Sequence, residues 1–88
     1  MNRDYIYKHL HELVSDGIQT MKDHDLSESA FQIWLRYSEK VLEITTKEYN
    51  PSILLNYIRV VSTIDPYLPP YQKIGKCLDY LIRVLQML

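Results

Sequence analysis

The sequence predicts an all-α protein, a small four-helix bundle with short loops, and three observations lead there. Apolar side chains recur at spacings of three and four along four separate segments, the period of one helix face. Only two glycines occur in 88 residues, too few for the tight primed turns that β-hairpins need. The four prolines, Pro51, Pro66, Pro69 and Pro70, fall between apolar segments, where they stop and start helices rather than break them.

In the first segment, Ile6, Leu10, Leu13, Val14, Gly17 and Met21 form one stripe of a helix running from about Asp4 to Lys22. Lys8, Glu12, Ser15 and Gln19 take the other side. Gly17 falls inside the apolar stripe, where it costs roughly 1 kcal/mol relative to Ala unless it permits close packing, so it reads as a close-approach or kink position. The second helix starts at Asp25-Leu26-Ser27-Glu28. Asp25 serves as the cap with Glu28 reaching back, or Ser27 caps two residues later. Phe31, Trp34, Leu35, Ser38, Val41, Leu42 and Thr45 line its inner face to about Lys47, opposite Arg36, Glu39, Lys40 and Glu43.

Asn50-Pro51 opens the third helix, since Asn caps well and proline at the first position forfeits no hydrogen bond. From Ile53 to Ile64 its only charge is Arg59, and apolar side chains project on nearly every side. A helix apolar all round is central or covered by a second chain, so helix three is placed nearest the centre. A strand is the competing reading, but the run neither alternates nor has a partner to pair with. Asp65-Pro66 ends this helix, and Pro69-Pro70 sets the approach to the fourth. There Ile74, Cys77, Leu78, Leu81, Val84, Leu85 and Leu88 share a stripe that continues to the last residue.

Length and composition bound what this object can be. Eighty-eight residues give a single helical domain, 1–88, that buries only about 60% of the surface its unfolded chain exposes. A hydrophobic share of 47% and a charged share of 24% are those of a chain that folds. The single Cys77 rules out a disulfide framework, no apolar run reaches the roughly 20 residues of a membrane span, and charges interrupt the N-terminal segment before it can form a signal-peptide core. A cytoplasmic location is expected. Net charge is −1, acidic in the first half and mildly basic in the second, without the cationic excess of a phosphate-binding protein.

Little in the chain looks like chemistry. His9 and His11 stand two residues apart on a helix, so their rings point about 200° apart and cannot share a metal. Cys77 lies on the buried stripe of helix four, where a thiol behaves as a small hydrophobe. Phosphate-cradling glycine loops are missing. Neither catalysis, a metal nor a cofactor is expected. Leu68-Pro69-Pro70-Tyr71 resembles the LPxY peptides that WW domains hold in a polyproline II groove, but three prolines at a helix junction are explained by the junction alone.

The residues that remain point to contacts with other polypeptides. Eight tyrosines are many for this length, and several fall at stripe edges where a ring packs while its hydroxyl stays wet. The expected function is a non-catalytic protein-binding module that self-associates, a small regulator or inhibitor capping a larger target. In size and helix count it is similar to bacteriocin immunity proteins and phage-encoded inhibitors. The expected interface comprises Leu55, Tyr57, Ile58, Val60, Tyr80, Val84, Met87 and Leu88, on helices three and four of a homodimer. The alternative is a dimeric nucleic-acid-linked regulator using the basic face of the last helix, Lys73, Lys76 and Arg83, where an anionic partner would land.

Overall fold

Four helices are laid out along the chain in a computed structural model that describes residues 2–88. Helix α1 runs Arg3–Met21 and is capped by Asn2, whose Oδ1 accepts the Asp4 N–H at 2.7 Å. Helix α2 runs Glu28–Thr46, and its cap is Ser27, whose Oγ accepts the Ala30 N–H at 3.1 Å. Asp25 does not cap it: its own N–H donates to Asp23 Oδ1 within the preceding turn. Glu28 does not reach back either, because its carboxylate is held by Gln32 and Lys73.

Helix α3 covers Ser52–Ser62. Asn50 Oδ1 accepts from both the backbone N–H and the hydroxyl of Ser52, at 3.1 and 2.6 Å, so the asparagine satisfies the first turn across Pro51. Asp65 Oδ1 accepts the Tyr67 N–H at 2.9 Å and tightens the turn that follows. Pro69 is extended, with ψ at 144°, and Pro70 takes the first position of helix α4, Pro70–Met87. The prolines thus act as helix punctuation, and residues 53–64 form no strand.

The arrangement departs from expectation in one respect. Helices α2 and α4, not α3, occupy the middle: each packs against all three others, while α1 and α3 do not touch, and α4 makes the more extensive set of contacts. Only Ile53 and Tyr57 of α3 are buried, whereas α4 buries Lys73, Ile74, Cys77, Leu78, Leu81 and Val84. The reason is length and stripe width. Eleven residues of α3 have room for one line of contact, while eighteen of α4 present a broad apolar arc that three neighbours can share.

Gly17 sits where α1, α2 and α4 converge. A Cβ there would lie 2.7 Å from Leu78 Cδ2 and 2.9 Å from Trp34 Cζ2, so the missing side chain is what lets the Trp34 ring and Leu78 close against the α1 backbone. The close-approach reading of Gly17 holds. The contact also fixes direction: residue 17 meets residues 34 and 78, while Met21 meets Gly75, so α1 and α4 run antiparallel.

Candidate interaction surface

The residues expected at the interface separate into three groups. Leu55 and Ile58 on α3 and Met87 at the end of α4 are exposed, the first two at 59% and 45%. Val60, Tyr80 and Leu88 are half-buried. Tyr57 and Val84 are inside the core and correct the expectation: they face neighbouring helices of the same chain and have no surface to offer. Tyr80 is further committed by its hydroxyl, which donates to the Ile53 carbonyl at 2.7 Å and ties α4 to α3. Desolvation raises its pKa, with the Arg83 charge acting in the opposite direction.

Tyr57 is drawn inward by a buried polar pair. Its hydroxyl stands 2.7 Å from Ser38 Oγ on α2, and Ser38 Oγ also donates to the Leu35 carbonyl at 2.6 Å. Cys77 adjoins this pair, and burial pushes its thiol up to about 11, so little thiolate exists at neutral pH. The one buried side-chain polar atom without a partner among the described residues is Trp34 Nε1, in the same tightly packed layer as Gly17.

The basic face is smaller than the sequence suggests. Lys73 is buried, 7% exposed, and its ammonium meets Glu28 Oε2 at 2.9 Å while lying 5.6 Å from the centre of the Phe31 ring. That ion pair joins residues 45 apart in sequence, so spacing along one helix could not reveal it. Lys76 and Arg83 remain exposed, but Asp79 stands between them on the same face.

The histidines are parted as expected. His9 meets the Tyr5 ring edge-on and lies 3.9 Å from Glu12, and His11 stacks on Tyr7. His24 stacks on Tyr71 at 4.2 Å between centroids. No three metal-ligating side chains converge among the described residues. The same stacking decides the Leu68-Pro69-Pro70-Tyr71 question. Pro70 and Tyr71 belong to the first turn of α4, and Tyr71 is held against His24, so the segment is not displayed as a polyproline II ligand.

A surface the sequence reading passed over lies on α2. Ile33, Tyr37 and Ile44 are exposed at 71%, 54% and 55%, and their spacing of four and seven places them on one stripe, beside half-buried Val41. The periodicity of this surface is present in the sequence but weaker than that of the inner stripe of Phe31, Trp34, Leu35 and Leu42. No protein-family model, curated protein or solved structure matches this chain. No helix among the described residues is long and apolar enough to cross a membrane.

Proposed function

We propose that this chain is a non-catalytic protein-binding module, a small regulator or inhibitor that seats a partner polypeptide on the outer face of α3. The observation that supports it most is the exposure of Leu55 and Ile58 on a helix that lies at the edge of the bundle and touches only α2 and α4. Half-buried Leu54 and Val61 border the two, and Arg59 is the only charge on the helix. Large aliphatics with a single cation at the border suit an amphipathic helix or an apolar groove on the partner. The burial of Cys77, with its thiol pushed up to about 11, suits a non-catalytic reading.

Self-association belongs to the same reading. Tyr57 and Val84, both buried, drop out of any homodimer contact. The nucleic-acid alternative loses support because Lys73 is spent on Glu28 and Asp79 offsets Lys76 and Arg83. The test is capture from the native cell by wild-type protein and by the Leu55→Glu, Ile58→Glu double variant. Both positions are exposed, so the helical circular dichroism should be unchanged. The wild type is expected to retain a partner that the variant loses; retention of the same partner by both overturns the α3 assignment.

A further inference from the structure

We infer that the exposed stripe of α2 is the contact with a second copy of this chain, packed antiparallel across a twofold axis that passes between residues 38 and 39. This rests on the self-association in the proposed function, but it uses a different helix from the α3 partner face and can fail without it.

Three observations carry the inference. The first is the concentration of apolar surface: Ile33, Tyr37 and Ile44 are exposed along roughly 16 Å of helix at 1.5 Å per residue. Ile33 is the most exposed aliphatic side chain among the described residues. The second is self-complementarity. A twofold contact requires that if residue i meets residue j of the partner, j meets i. Ile33 and Ile44 are equidistant from the midpoint between 38 and 39, and so are Tyr37 and Lys40. One antiparallel register therefore sets Ile33 against Ile44 of the other copy twice, and Tyr37 against Lys40 twice.

The third is the chemistry of that inner pair. An ammonium over a tyrosine ring is attractive, and Lys40 is free to make it, since its side chain is exposed and only loosely held by Glu43 at 3.9 Å. A heterologous helix would have to supply this alternation of aliphatic, aromatic and cation independently, whereas a second copy carries it by construction. The stripe is short of the about 800 Å² per partner that tight complexes bury, so the stems of Arg36, Lys40 and Lys47 have to cover its edges and the dimer is expected in the micromolar range.

Sedimentation across a concentration series tests this. The wild type is expected to pass from monomer to dimer at micromolar concentration. Ile33→Glu sets two unpaired carboxylates in the contact, one per copy, and should weaken the dimer roughly a hundred-fold or more; Ile44→Lys should do the same. Combining Ile33→Glu with Ile44→Lys in one chain places acid opposite base at both ends and should restore most of the association, a rescue that only this register provides. Each position is exposed, so monomer folding, followed by circular dichroism, should not change. A wild type that stays monomeric to roughly 100 µM, a dimer indifferent to Ile33→Glu, or a combined variant that stays monomeric overturns the inference. A dimer dissolved by Leu55→Glu instead also overturns it and moves the second copy to α3.

Discussion

The hydroxyl of Tyr57 donates its hydrogen bond to Ser38 Oγ, 2.7 Å away, and so pins α3 to α2 from inside the core. The direction follows from Ser38, whose only hydrogen is already directed at the Leu35 carbonyl at 2.6 Å. Both side chains are fully buried, and desolvation, aided by neighbouring Cys77, drives the phenol far above its ordinary pKa. Ser38→Ala leaves that phenol without its acceptor and is expected to cost about 1–3 kcal/mol. Tyr57→Phe should cost about 1 kcal/mol, and the double variant less than the sum. Denaturant titrations of the three variants measure the coupling; strict additivity would mean that the bond is not a unit.

The two glycines of the chain should respond in opposite directions to Ala. At Gly17 the new methyl group meets Leu78 Cδ2 at 2.7 Å and the Trp34 ring at 2.9 Å. Overpacking then outweighs the roughly 1 kcal/mol gained in helix propensity, for a net loss of about 1–2 kcal/mol. At Gly75 the nearest atom is Met21 Sδ at 3.3 Å, the pliant part of a flexible side chain, so Gly75→Ala is expected to stabilise by up to about 1 kcal/mol. Thermal melts of the two variants should move to opposite sides of the wild type.

Lys73 and Glu28 predict an asymmetry between two neutralising changes. Lys73→Met keeps the stem packed on Phe31 and removes the buried charge, so stability should stay within about 1 kcal/mol of wild type. Glu28→Ala leaves the ammonium without its anion and is expected to cost about 1–3 kcal/mol, tempered because Glu28 is half exposed. Hydrogen bonds from Lys73 and Gln32 hold the Glu28 carboxyl below its ordinary 4.5. A lowered folded-state pKa means that the unfolded chain binds the proton more readily. The stabilisation is therefore complete above pH 4.5 and is lost as acidification passes through the lower folded value. Stability measured from pH 6 downward should fall more steeply in wild type than in Glu28→Gln over that interval.

Cys77 offers a reporter of opening. Fully buried and with its thiol pushed up to about 11, it should resist a maleimide or disulfide reagent at pH 7 for as long as α4 stays docked. Labelling is expected to track unfolding, accelerating with denaturant along the slope of the global transition. Rapid labelling in buffer would place Cys77 in a region that opens locally.

Much of the fold was legible because helix faces are written locally. The 3.6-residue stripe located all four helices, and Gly17 announced a close approach by interrupting an apolar face. What was not legible depends on which helix meets which. The apolar circumference of α3 suggested a central place, but only the packed bundle shows that one line, Ile53 and Tyr57, is used while Leu55 and Ile58 are left outside. Val84 lies on the inner stripe of α4, and the packed bundle uses that stripe internally, so it has no surface left for the expected interface. Lys73 looked solvated because its anion, Glu28, belongs to a distant helix. Ile33, Tyr37 and Ile44 were visible in principle and were masked by the stronger inner face.

The central position of α4 bears on how the molecule comes into being. During synthesis, α1, α2 and α3 can meet one another only through α2, and the largest contact of α1 has to wait for a helix about sixty residues downstream. Nascent chains of this protein are thus expected to hold at most a loose α1–α2–α3 arrangement with the α4-facing stripes open until α4 leaves the ribosome, and then to consolidate in one cooperative event.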